Sequence, residues 1–136
     1  MAKFSVSGIE GMQDRVLQQE ARATRAVPKM LKAGAAVLEK AQKDEIRSTF
    51  KSNRVTGDLA NSIKSTAIKT KASEQYVEVY PHGKNSRGQR NATVGAVHQY
   101  GRSNMPARPW FTSSNEKATP EVQQAMRDEW EAAQND

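Results

Sequence analysis

Apolar positions along this chain follow two rhythms. Phe4 and Val6 alternate with Ser5 and Ser7, a period of two that predicts a short strand, closed by Gly8. From Ile9 the period lengthens. Ile9, Met12 and Val16 share one helical face, with Asp14, Arg15, Gln18 and Glu20 on the other. Pro28 interrupts this pattern. Placed in the first turn of a second helix, its missing N–H costs nothing. Met30, Leu31, Ala35, Leu38, Ala41 and Ile46 then carry that helix to Phe50, over ~22 residues and about 33 Å at 1.5 Å per residue. The alternative is one helix running kinked through Pro28. Gly34-Ala35-Ala36 makes a small-residue patch that another element can approach closely.

After the polar link Lys51–Arg54, Thr56 or Asp58 is placed to cap a short helical turn that carries Leu59 and Ile63 inward. Ser62 to Thr70 then reads as a strand, with Ile63, Ser65, Ala67 and Lys69 alternating against Lys64, Thr66, Ile68 and Thr70. Lys71–Glu74 is a turn. Gln75–Pro81, with Tyr76, Val77, Val79 and Tyr80, has the strongest strand character and should close a hairpin with 62–70. Thr93–Tyr100 reads as a short helix with Val94, Val97 and Tyr100 on one face. Gly101 is free to take a left-handed cap conformation at its end. Pro106 and Pro109 hold the following residues extended and then launch a final helix, for which Trp110 and Phe111 are large apolar anchors. Thr119-Pro120-Glu121 has the chemistry of a helix start, with Thr119 as cap and Pro120 in the first turn. Val122, Ala125, Met126, Glu129, Trp130 and Ala133 then share one face. The expected fold is α+β: a small, mostly antiparallel sheet packed against a long N-terminal helix and a C-terminal helix.

Composition narrows the function. At 136 residues the chain fits one domain, but 36% hydrophobic and 6% aromatic content predicts a thin core that neighbours in an assembly help complete. Without cysteine there is neither a disulfide nor a thiolate metal site. Met1-Ala2-Lys3-Phe4 opens no apolar leader, and no apolar run approaches the ~20 residues needed to span a bilayer, so a soluble protein made in a cytoplasm is expected. The two histidines, His82 and His98, are better read as ordinary polar residues than as a catalytic or zinc pair. Asp44-Glu45 and Asp128-Glu129 are sequence neighbours that point to different helix faces and cannot converge. Gly83 and Gly88 lack the spacing and the following helix of a phosphate-cradling loop. No enzyme activity, metal or cofactor is expected.

Net charge is +6, unevenly distributed. Residues 116–136 hold six acidic and two basic side chains, whereas residues 1–115 carry an excess of ten positive charges. Such a two-ended molecule suits head-to-tail contact between copies, although a charge run is equally a solvated face. The stretch 82–92 has no acid and carries Lys84, Arg87 and Arg90, which predicts a mobile basic loop. With Arg102, Arg108 and Trp130 these are the expected interaction residues. Arg108, held between prolines, has two readings: a carboxylate partner within the subunit, or one on a neighbour. The same cations could meet phosphate, yet the loop interleaves no aromatics for base stacking.

Three segments carry a family resemblance. They are Phe4-Ser5-Val6-Ser7-Gly8-Ile9, then Val55-Thr56-Gly57-Asp58-Leu59-Ala60-Asn61-Ser62-Ile63, and then Val97-His98-Gln99-Tyr100-Gly101 followed across a polar gap by Met105-Pro106-Ala107-Arg108-Pro109-Trp110-Phe111. Their order and spacing resemble the neck, or tail-completion, proteins of long-tailed bacteriophages over roughly residues 3–132. Thr112-Ser113-Ser114-Asn115 departs from the Leu- or Arg-like residue usual after that last step. The resemblance implies the same α+β arrangement, with residues 1–136 acting as one head–tail joining domain. It further implies a ring of copies in the virion neck, assembled in the host cytoplasm, whose partners are other phage connector or tail proteins. Passing DNA would be touched without being read, and no membrane is involved. A tail-tube terminator ring is the alternative within the phage class. A non-specific nucleic-acid-binding protein is the alternative outside it.

Overall fold

Two long helices and one central strand organise this protein, whose computed structural model describes residues 2–5, 20–50 and 55–135. Strand β1 is Ala2–Ser5 and helix α1 is Glu20–Thr49. A π-helical turn at Val55–Leu59 passes into the single turn α2, Ala60–Ser62. Strands β2 (Ile63–Ser65), β3 (Lys69–Lys71) and β4 (Glu74–Pro81) follow, then helices α3 (Asn91–Tyr100) and α4 (Trp110–Gln134). The fold class is α+β with an antiparallel sheet, as the sequence pattern predicts. The helix expected from Ile9 and the link Lys51–Arg54 lie outside the described residues.

Helix α1 forms because its buried positions, Ala23, Ala26, Met30, Leu31, Ala35, Leu38, Gln42 and Ile46, recur every three or four residues. It begins upstream of Pro28, so the proline sits inside the helix and not in its first turn. A proline in a helix interior costs about 3 kcal/mol. Ala23 and Ala26 before it and Met30 and Leu31 after it lie on one inward stripe, and burial of a large apolar side chain contributes about 1.5–3 kcal/mol. Packing on both sides of the break therefore holds the helix across it.

Helix α4 runs antiparallel beside α1. Ala26 and Met30 meet Ala133, Met126 and Trp130 at one end, while the Gln42 amide donates to Asn115 Oδ1 at 3.0 Å further along. Arg22 Nη1 donates to the Gln134 carbonyl at 3.2 Å, satisfying a carbonyl at the end of α4 that the helix itself leaves open. Helix α4 starts where Pro109 launches it and not at Thr119-Pro120. It begins at Trp110, runs through Pro120, and buries Trp110, Ser114, Ala118 and Val122. Thr119 is no cap; its hydroxyl donates back to the Asn115 carbonyl at 2.8 Å.

Strand β4 is the centre of the sheet. β1 pairs with one edge of it, and β2 and β3 share the other. Val77, Val79 and Pro81 alternate inward on β4 towards the helices. Gln42, fully buried on α1, donates to the Val79 carbonyl at 3.3 Å and so ties α1 to the sheet. The strand expected over 62–70 is broken at residues 66–68. The Thr66 N–H still donates to the Glu78 carbonyl (2.9 Å), but the Glu78 N–H is taken by Thr66 Oγ1 (3.1 Å) in place of a backbone oxygen. Strict alternation sends Ile63 and Ile68 to opposite faces, five residues apart. Both pack on the same core, so the break is what reverses the parity.

The hairpin turn Lys71–Glu74 holds Ala72 and Ser73 at φ 50° and 70°. Two successive positive φ values suit a type I′ turn, which favours Asn-Gly. Neither alanine nor serine is suited to that region. The pair Ala72→Asn and Ser73→Gly is expected to stabilise the fold by about 1 kcal/mol, read as a higher urea midpoint with unchanged slope. A lower midpoint would show that the turn is held by contacts the substitution removes.

Candidate interaction surface

The residues singled out by charge do not converge on one point. They sit at the two ends of α3 and, for Trp130, far along α4. At the N-terminal end of α3, residues 82–90 fold into a miniature hairpin. Lys84 and Arg90 face each other across an antiparallel bridge. Asn85 Oδ1 accepts from the Arg87 and Gln89 N–H groups, both at 3.0 Å, and the Asn85 N–H donates to the Gln89 carbonyl at 2.8 Å. Gly83 and Gly88 supply the positive φ angles, 71° and 76°, that the bends require. The base is held by buried Asn91, whose side chain donates to the His82 carbonyl at 2.8 Å. Lys84, Arg87 and Arg90 stand exposed on this frame.

Helix α3 does not dock through Val94, Val97 and Tyr100. Its inward positions are Asn91, Gly95 and Gln99. Tyr100 is 77% exposed and Val94 and Val97 are half-buried. The cause lies in α4. Trp110 packs so close to Gly95 that a Cβ there would stand 3.0 Å from the indole, and the indole N–H donates to the Gly95 carbonyl at 3.0 Å. Gln99 then does what Pro109, at the N-cap of α4, cannot. Its Oε1 accepts from the Phe111 and Thr112 N–H groups at 2.9 and 3.2 Å, and its Nε2 donates to Thr112 Oγ1 at 2.6 Å. A side-chain cap of this kind contributes about 1 kcal/mol. Apolar spacing could not reveal it, because the capping residue belongs to another helix.

At the C-terminal end of α3, Gly101 has φ 74° and ψ −177°, a positive-φ conformation that is extended rather than left-handed helical. Arg102 and Met105 exchange two backbone hydrogen bonds of 2.9 Å, and the Arg108 N–H donates to the His98 carbonyl at 2.8 Å. This fixes two exposed guanidinium groups beside α3. Arg108 lies 5.7 Å from the centre of the Phe50 ring, which also meets His98 at 4.7 Å. Burial pushes the His98 pKa below its usual value, and Arg108 and Arg102 push it further. His98 is therefore neutral at pH 7 and adds no charge to the patch.

Among the described residues the ion pairs are Lys40–Asp44, Arg47–Asp44, Lys69–Glu78 and Lys117–Glu45. None includes Lys84, Arg87, Arg90, Arg102 or Arg108. Between the two basic groups lies a shallow cleft of about 70 Å³, lined by Tyr80, Pro81, Ala92, Ala96, Tyr100 and Phe111. Trp130 stands apart, half-buried against Ala26 and Met30 about 30 Å along α4 from Trp110. Among the described residues no three His, Asp or Glu side chains gather to hold a metal, and no helix is long and apolar enough to cross a membrane.

A family described as "Bacteriophage HK97-gp10, putative tail-component" matches residues 11–102, more than half of the chain. The chain belongs to the HK97-gp10-like family. The match takes in the Thr56-Gly57 turn, β2 to β4, the basic hairpin and α3 as far as Arg102. The Met105–Phe111 step and α4 lie beyond it. Comparison with curated proteins and with solved structures finds no match. Membership in the HK97-gp10-like family supports a structural protein of the phage tail or neck, with a place in the virion and other tail proteins as partners. It is consistent with a role that is not enzymatic.

Proposed function

We propose that this protein joins head to tail, as a neck or tail-completion ring of a long-tailed phage or prophage. The observation that carries this reading is the pair of basic groups bracketing α3, which join no ion pair among the described residues, with exposed Tyr100 at the end of that helix. Such a surface is adhesive and carries no reacting group. Tyr and Arg dominate the energetics of protein interfaces. Lys84 directly opposite Arg90 is an unfavourable like-charge pair, so the hairpin gives up stability to present its charge. A rigid frame also lowers the ordering cost of docking.

In this reading residues 1–136 act as one joining domain, assembled in the host cytoplasm. The loop 82–92 docks on a connector or tail protein. Contacts that are weak singly become firm when ring symmetry multiplies them. DNA passing through the ring would meet the cations without being read.

The test is electron microscopy of a lysate in which this reading frame is disrupted. DNA-filled heads separate from finished tails are expected. Abnormally long tails would move the role to a tail-tube terminator. Intact infectious particles would overturn the phage-neck reading.

A further inference from the structure

The cations around α3 are matched by carboxylates on α4 that likewise join no ion pair among the described residues. Glu116, Glu121, Asp128, Glu129 and Glu131 take part in none of the ion pairs among the described residues. Of these, Glu121, Asp128 and Glu131 are exposed and, at spacings of seven and three, fall on one face of the helix. Glu121 lies within electrostatic reach of Lys40 and Asp128 accepts from Gln124 Nε2 at 2.8 Å, with Arg127 on the same turn, but no cation among the described residues bridges Asp128 or Glu131. Asp128 stands 18 residues beyond Trp110, about 27 Å along the helix from the turn that carries Arg102 and Arg108. The two charged faces therefore cannot neutralise each other within one molecule.

We infer that the Tyr100–Arg102–Arg108 face of one copy docks on the Asp128–Glu131 face of α4 in a second copy. This deepens the ring proposed above and rests on that reading for the ring's existence. Two different surfaces meeting make a heterologous contact, and repeating it generates a closed ring when the rotation permits. The composition also fits. Tyr100 supplies an apolar anchor beside the cleft, the guanidinium groups supply direction, and α4 offers a rigid rod whose Arg22 contact holds the acidic end in place. A surface built for DNA alone would need the cations but not this complementary stripe on the same molecule.

Charge exchange tests the pairing on the purified full chain. Arg102→Glu with Arg108→Glu makes both faces acidic, and Asp128→Lys with Glu131→Lys makes both basic. Sedimentation at low salt should show wild-type oligomers that dissociate as salt rises. Each variant alone should associate at least about tenfold more weakly, and an equimolar mixture of the two should reassociate. Tyr100→Ser should weaken association without changing charge, and a melting curve shows that each variant is folded. The inference is overturned if wild type stays monomeric throughout, if either variant alone associates like wild type, or if the mixture fails to recover. It is also overturned if Arg102→Glu/Arg108→Glu loses affinity for duplex DNA while its oligomeric state is unchanged, which would make the basic face a DNA surface. Sedimentation reads the contact and the disrupted-gene lysate reads head–tail joining, so either reading can fail alone.

Discussion

Gly101→Ala should lower the stability of this protein by about 3 kcal/mol or more. Two costs add. The conformation at φ 74° and ψ −177° is essentially restricted to glycine, and occupying it with a side chain costs about 1–3 kcal/mol. An added Cβ would also stand 2.7 Å from the Ala107 nitrogen and 2.8 Å from the Met105 carbonyl oxygen. Both neighbours are backbone and belong to the turn that leads into α4, so the clash cannot be relieved by moving a flexible side chain. Thermal unfolding should show a fall in Tm of roughly 10 °C. Gly83→Ala is the control. It has a similar φ of 71° but open space where the Cβ would go, and it should lose only the conformational part. Equal losses for the two variants would mean that the contact between Gly101 and residues 105–107 holds nothing.

The second large effect belongs to Trp110. Its side chain is 2% exposed, and truncation to alanine is expected to cost about 3–5 kcal/mol through lost burial and the cavity left behind. The Gly95 carbonyl would lose its indole donor at the same time. Trp110→Phe keeps most of the apolar contact and removes the hydrogen bond, so it should cost about 1–2 kcal/mol. The remaining Trp130 is half-buried, so the fluorescence of this variant should shift to the red. A Trp110→Ala chain as stable as wild type would show that α4 is held by its contacts with α1 alone.

Much of this architecture is legible in the residue pattern. The stripe through Met30, Leu31, Ala35, Leu38 and Ile46 identifies α1, and Val77 and Val79 identify the central strand. What the pattern misses follows from interactions that apolar spacing does not encode. Pro28 and Pro120 have the marks of helix starts, yet burial on both sides carries the helices through them. Helix α3 turns its small and polar residues inward, because Gly95 receives an indole and Gln99 caps a neighbouring helix. The proposed interaction residues Lys84, Arg87, Arg90, Arg102 and Arg108 are visible as charge. Their division into two groups follows from the short helix predicted between them, but the exposure of Tyr100 does not, since it depends on which face of α3 is buried. Trp130 has the same apolar character as an interface anchor, and only its packing on Ala26 and Met30 places it against α1.

The caps of α4 bear on when the molecule becomes able to assemble. Gln99 closes its first turn, Arg22 closes its last, and Trp110, Ala118 and Val122 fill the core that α1 and the sheet leave open. Among the described residues, the elements α4 packs on all precede it. A nascent polypeptide whose synthesis has not passed α4 thus lacks both a finished core and the acidic stripe. In the ring proposed above, such a chain would neither seat on a neighbour nor be seated upon, so translation itself would keep half-made subunits out of the growing particle.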